Sequence, residues 1–397
     1  MIKSWLGRIE KRVLQTIETP GPFAPFSFDQ VLAGCASLYK AGVKLRYAMY
    51  GAGFLKSRCL DCPVISIGNL AVGGSGKTPM AVWLAKMLVE KGLRPVVISR
   101  GYRGTLEDEA AVVSDGRDVF LDAKICGDEP YMMAMEKAFP VVVGKDRYKA
   151  GLMAMEAFAP DVIILDDGFQ HLRLHRNLNL VLLDYKQPLG NGRMLPAGPL
   201  RETLCMAKDR IDAVVFTRCS PDAFELDAPQ ASEHQSVAND TSKKLTPVPL
   251  FYCMHEPFVA QLFPAESDHN TKDFQSWTLQ GKTAVLFSGL ARNASFAQSV
   301  QDLGVNIAEH LEFCDHYRYN GPDFKRILAR AKALKVDFIL TTQKDWVKVN
   351  PAYFRDVAVA VIGIRLHFSD PGDLEQFILK NTNGQSRTSE LSMIIQE

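Results

Sequence analysis

The chain has no run of about 18 consecutive apolar residues, so no segment reads as a membrane-spanning helix. Its first residues also lack the unbroken apolar core and small-residue cleavage site of a signal peptide, and a cytoplasmic protein is expected. Charge of one sign is missing too. A net charge of +1 over 397 residues gives no bulk attraction to a polyanion, and no basic face interleaved with stacking aromatics appears, so nucleic acid is not an expected partner. Eight cysteines are scattered through the sequence. Cys59 and Cys62 form a C-x-x-C with no second pair or nearby histidine to complete a zinc site, and the pattern suits a reducing compartment. What remains is 47% hydrophobic and 23% charged residues, the composition of a globular protein too long for one ordinary core.

The chain is organised around Val64 to Thr78, VISIGNLAVGGSGKT. Val64 to Ile67 suits a buried parallel strand. Ala71, Val72, Gly73, Gly74, Ser75, Gly76, Lys77 and Thr78 then match a phosphate-binding loop that opens a helix. Glycines let the backbone N–H groups turn into one concavity, lysine reaches the outer phosphates, and the threonine hydroxyl suits magnesium. The strict pattern has glycine where this chain has Ala71, a mild departure. The bland alternative is a flexible glycine-rich turn between strand and helix.

Beyond the loop, apolar runs alternate with helical patterns: Pro95 to Ser99, Val141 to Val143, Val162 to Leu165, Leu180 to Leu183 and Ala213 to Phe216 as strands. This alternation predicts a parallel α/β sheet with its ligand site at the carboxyl ends of the strands. Asp166 and Asp167 follow one such run and match the acidic element that holds magnesium; taken alone, they would be turn formers. Asp128 opens a helix as a plain N-cap, yet lies where a general base for an incoming hydroxyl belongs. The long Gly- and Pro-rich connection 187–202 carries Arg193 and Arg201, and Arg147 follows another strand. All three suit bidentate contact with phosphate.

Phe28 to Tyr50 is a helical pattern with Phe28, Val31, Leu32, Cys35, Leu38, Tyr39 and Val43 on one face and lysines opposite. It fits an anionic membrane interface and the protein's own core equally well. Ser220 to about Lys244 is polar, with neither helical nor strand period, and reads as an exposed excursion. Segments near 248–254 and 277–279 are expected to pair as a ribbon. A second α/β lobe follows, with His316 in an aromatic loop and Thr342-Gln343-Lys344-Asp345 resembling the base-reading motif of GTPases. A soluble P-loop GTPase or nucleotide switch is therefore an alternative, and a kinase of a small soluble sugar is another.

Together GNLAVGGSGKTP (68–79), SRGYRG (99–104), GDEP (127–130), VIILDDGFQH (162–171), GNGRMLPAGPLRE (190–202), FCDHYRY (313–319) and TTQKD (341–345) resemble the tetraacyldisaccharide 4'-kinase (lipid A 4'-kinase) family from the N-terminal helix to about residue 370. The resemblance implies a membrane-associated segment 1–60, a P-loop kinase domain 61–245, a linker with a β-ribbon 246–280, a C-terminal α/β lobe 281–385 and a polar tail 386–397. It implies transfer of the ATP γ-phosphate to the 4'-hydroxyl of an acylated disaccharide 1-phosphate, forming lipid IVA, by a peripheral protein at the cytoplasmic face of the inner membrane with no obligate protein partner. Asp128 would take the hydroxyl proton with His316 supporting it from the second lobe. Lys77 and Thr78 would serve ATP and Mg2+, Asp166 and Asp167 would complete the metal side, and Tyr102, Arg147 and Arg201, with Arg193, would meet the lipid's sugar or phosphate.

Overall fold

The computed structural model describes residues 12–17, 23–24, 26–106, 109–220, 233–263 and 279–383. Its strands are β1 Val64–Asn69, β2 Pro95–Ser99, β3 Ala111–Asp115, β4 Pro140–Val143, β5 Val162–Asp166, β6 Leu178–Asp184, β7 Ala213–Thr217, β8 Leu250–Phe263, β9 Thr283–Ser288, β10 Asn306–Glu312, β11 Phe338–Thr342 and β12 Val359–Phe368. The chain forms two compact units, one of Met1–Ile98, Asp146–Met254 and His367–Glu397, the other of Ser99–Lys145 and His255–Leu366. Residues 99–145 thus cluster with the C-terminal lobe rather than with the 61–245 domain expected from sequence.

In the first unit β8, β7, β6, β1, β5 and β2 lie in that order, every pair parallel. All six residues of β1 are buried, as expected of a strand covered on both faces. Each fully buried isoleucine or leucine here contributes roughly 1.5–3 kcal/mol. Ile67 is in register with Asp166, which sets the acidic pair beside the strand end where the glycine loop starts. The helix Lys77–Glu90 buries Met80, Leu84 and Leu88. Helix Arg147–Phe158 is capped by Asp146, whose side chain accepts from the backbone N–H groups of Tyr148 and Lys149.

The stretch read as an unstructured excursion is corrected over its described part. Glu233–Leu245 is a helix that buries Ala238, Thr241 and Leu245. Two of these three are small or polar, so the i, i+3, i+7 period carries almost no hydrophobic signal.

The long helix Phe28–Gly51 starts at Ser27, whose hydroxyl caps Gln30 N–H. Its expected apolar face is split. Leu32 and Ala36 are buried and pack with Ala197, and Val43 packs on the core beneath β7. Val31, Leu38 and Leu45, spaced by seven residues, are 61, 76 and 63% exposed.

The second unit has β10, β9, β11 and β12 as a parallel sheet, and β3 paired antiparallel with β4. Neither β3 nor β10 is anticipated from sequence; β10 is only partly buried and its residues are mostly polar. Helix Gly321–Leu334 opens with a capping box between Asn320 and Asp323. The expected ribbon partner at 277–279 falls almost wholly outside the described residues, as does the tail 386–397.

Candidate active site

In the first unit the glycine loop turns through positive φ at Gly73 (118°) and Gly76 (84°). Side-chain-bearing residues resist such angles. Gly76 caps the helix in the left-handed region, directing the first-turn N–H groups and the positive end of the helix dipole to one spot. The loop is pinned from outside. Asn69 Nδ2 donates to Ser75 Oγ at 2.9 Å, Thr217 Oγ1 donates to Ser75 O, and Arg218 donates to both Gly74 O and Asp184. Ala71 bridges to Leu200, Val72 N–H donates to Pro199 O, and Arg201 N–H donates to Leu70 O. An extended, β-bridged backbone at Ala71 needs no glycine, which accounts for the departure from the strict pattern.

The arginine connection is thereby stitched to the phosphate loop. Arg201 donates to both oxygens of Asp167 at 2.8 and 3.0 Å and to Gln170, while Lys77 Nζ lies 3.9 Å from Asp167. Burial works against ionisation of Asp167, but the charges of Lys77 and Arg201 outweigh it and lower its pKa. Asp167 itself has φ 51°, an uncommon angle for a non-glycine residue and typical of functional turns. Asp166 is buried at the end of β5, and Thr78 is buried in the helix start.

Arg147 is only 3% exposed, and its charge also helps lower Asp167. Burial, reinforced by Arg147, pushes His171 down to about 4. Arg193 instead lies 4.2 Å over the ring of Phe23. A cluster not read from sequence lies nearby: the fully buried Glu202 receives Arg210 Nη2, Tyr47 Oη and Gln170 Nε2.

In the second unit Asp128 is not the N-cap expected from sequence: the cap is Gly127, and Asp128 is the first residue of helix Asp128–Ala134. Its Oδ2 is 3.1 Å from His316 Nδ1 and 3.7 Å from Lys348 Nζ. Burial opposes its charge, but the His316 hydrogen bond and the Lys348 ammonium bring its pKa below the ordinary carboxylate value. His316 Nε2 is 3.1 Å from Lys344 Nζ, and Lys344 bonds Asp315 at 3.0 Å. Tyr102, half exposed, meets the imidazole edge-on at 5.5 Å. Arg103 donates to the backbone oxygens of Asp315 and His316, and Arg318 donates to Arg103 O. These bonds join 99–145 to the rest of this unit. His316 and Asp128 are neighbours within one unit, not residues of separate lobes.

The Thr342–Asp345 stretch does not present a base-reading carboxylate. Asp345 is fully buried, accepting from Gly289 N–H, Thr342 Oγ1 and Lys348 Nζ. Lys344 and Lys348 are instead part of the Asp128 site, and the sequence reading misses that role. The available signal is two lysines one helical turn apart after a strand.

The profile of the tetraacyldisaccharide-1-P 4'-kinase family matches residues 28–383. A tetraacyldisaccharide 4'-kinase of Geobacter metallireducens is 41% identical over 352 residues, covering 88% of this chain and 97% of its own. One from Desulfatibacillum aliphaticivorans is 34% identical over 373 residues, covering 93% and 97%. The crystal structure of LpxK from Aquifex aeolicus in complex with ATP superposes with TM-score 0.65 at 31% identity, covering 90% of this chain and all of that one.

Proposed function

The chain belongs to the tetraacyldisaccharide-1-phosphate 4'-kinase family, and from that premise we propose that it phosphorylates the 4'-hydroxyl of a tetraacylated disaccharide 1-phosphate with ATP, a step of lipid A biosynthesis that yields lipid IVA. The observation that carries the reading is a partly buried, ionised Asp128 hydrogen-bonded to His316 in a chain that also holds a phosphate loop. A nucleotide switch has no use for a carboxylate positioned as a base. The GTPase alternative also loses its main support, because Asp345 is occupied in the protein interior.

In the proposed reaction the sugar oxygen attacks the γ-phosphorus, the bond to the β–γ bridging oxygen breaks, and the hydroxyl proton passes to the Asp128 carboxylate. Phosphoryl transfer needs alignment and charge neutralisation more than covalent help. Lys77 and the loop N–H groups supply these for the donor phosphates. Arg201, with Tyr102, Arg147 and Arg193, is assigned to the sugar or 1-phosphate of the lipid. Thr78, Asp166 and Asp167 offer the hard oxygen donors that Mg2+ prefers, and Mg2+ would neutralise charge on the β- and γ-phosphates. Among the described residues no group of three or more His, Cys, Asp or Glu could hold a metal.

An acyl-chain substrate stays in its bilayer, because each buried CH₂ is worth about 0.8 kcal/mol. Among the described residues no helix is long and apolar enough to cross a membrane. The Val31, Leu38 and Leu45 stripe supports peripheral attachment, which the proposed lipid substrate would put at the cytoplasmic face of the inner membrane. Two experiments test the reading. With labelled ATP and tetraacylated disaccharide 1-phosphate in mixed micelles, labelled lipid is expected; ATP binding without lipid product overturns it. Replacing Leu38 and Leu45 with Glu should reduce cosedimentation with anionic vesicles, and unchanged partitioning would remove the stripe as the attachment surface.

A further inference from the structure

The support that His316 gives to Asp128 depends on which ring nitrogen carries the hydrogen, and the surroundings of the ring decide this. On one side Nδ1 faces Asp128 Oδ2 at 3.1 Å. On the other, Nε2 faces Lys344 Nζ at 3.1 Å, with Asp315 Oδ1 at 3.9 Å. Tyr102 meets the ring edge-on, Arg103 donates to the His316 carbonyl, and Lys348 lies beyond Asp128. Lys344 is the informative neighbour. Its 3.0 Å pair with Asp315 holds it as an ammonium, which has three donors and no acceptor. Nε2 therefore accepts. A neutral imidazole has one donor nitrogen, so the hydrogen is on Nδ1 and points at Asp128.

We propose that Lys344 is a positioning residue that locks His316 as the neutral Nδ1–H tautomer, so that the imidazole is a fixed donor to the Asp128 carboxylate. The inference rests on the reading of Asp128 as the proton acceptor. His316 thus orients Asp128 and leaves the hydroxyl proton to the carboxylate. The backbone of His316 is built for this placement: its φ is 57°, held by the Arg103 bonds to the two carbonyls of the loop.

The test is the tautomer itself. Protein labelled with 15N-histidine is compared with its His316→Gln variant to assign the His316 ring among the eight histidines. Long-range nitrogen–proton spectra of the full-length protein should show Nδ1 protonated and Nε2 bare. Lys344→Met should lose this single tautomer and lower kcat by about tenfold or more, since a well-placed acid–base pair contributes 10²–10⁴, with KM for ATP unchanged. Lys344→Arg, still a donor-only cation, should retain the tautomer and recover most of kcat. A protonated Nε2 in the parent protein overturns the proposal, as does an unchanged tautomer in Lys344→Met. Asp128→Asn kinetics separate the two levels: retained turnover there removes the reading of Asp128 as acceptor, whereas the parent spectrum judges Lys344 directly.

Discussion

The phosphate-loop corner and the Asp128 site solve charge placement in opposite ways. At the first, backbone N–H groups, a helix end and Lys77 come from one contiguous stretch, and Arg201 and Arg147 join Lys77 at the acidic partner on the adjacent strand. At the second, four stretches meet, 102–103, 128, 315–316 and 344–348; Asp128, Asp315 and Asp345 are met by side chains, and Arg103 by backbone carbonyls. Backbone dipoles do not titrate, so the first corner is built for binding over a wide pH range. The second holds protons at stated atoms, so its task depends on protonation.

Lys77→Ala gives the largest expected effect. Removing the cation nearest the donor phosphates should lower kcat/KM by about 10³, or roughly 4 kcal/mol, with weaker ATP binding by calorimetry. Asp128→Asn comes next. It should lower kcat by about 10² while leaving the ATP dissociation constant unchanged. Loss of ATP affinity in Asp128→Asn would break the contrast, making that residue part of the binding corner.

A third effect is on stability and belongs to the first corner alone. A Cβ on Gly68 would lie 2.3 Å from Phe169 Cβ and 3.1 Å from its backbone nitrogen, and neither residue has room, since both are buried. Gly68→Ala should cost about 1–3 kcal/mol through overpacking, read as a lower denaturation midpoint. At Gly73 a Cβ meets nothing within 4 Å, but φ is 118°. Gly73→Ala should cost about 1–2 kcal/mol of backbone strain. The effect should appear mainly as weaker ATP binding, because the loop is exposed there.

The same contrast explains what was legible in the amino-acid order. The strand, glycine loop and helix are local: β2 has its predicted bounds, and β1 runs two residues past its predicted end. The family resemblance pairs Asp128 with His316, and their side chains lie 3.1 Å apart, but local pattern cannot bring together residues 188 positions apart. The contacts that place 99–145 with the C-terminal lobe, the Arg103, Arg318 and Asp128 bonds among them, are encoded by no periodicity. Lys344 and Lys348 were hidden for a related reason: a lysine after a strand reads as a solvated charge unless its partners, Asp315 and His316 for Lys344 and Asp345 and Asp128 for Lys348, are known. Helix Glu233–Leu245 was hidden by small residues on its buried face.

Lys348 gives the smallest effect and the finest test of the contrast. Burial raises the Asp128 pKa, whereas the His316 bond and the Lys348 charge lower it, with a net shift downward. A lowered pKa keeps the carboxylate ionised, and able to accept a proton, further into acid than an ordinary aspartate. Lys348→Met removes one lowering cause and leaves burial in place, so the pKa rises and the acid limb of the kcat profile moves to higher pH. At neutral pH, where most of the carboxylate stays ionised, the loss should be on the order of twofold; the alkaline limb should not move. The profile of the Lys77→Ala variant should keep the parent's acid limb despite its far lower rate, because Lys77 is not among the charges that lower Asp128. An acid limb unmoved in Lys348→Met would assign that ammonium to Asp345 alone, 2.8 Å away, and leave His316 as the main support of the base.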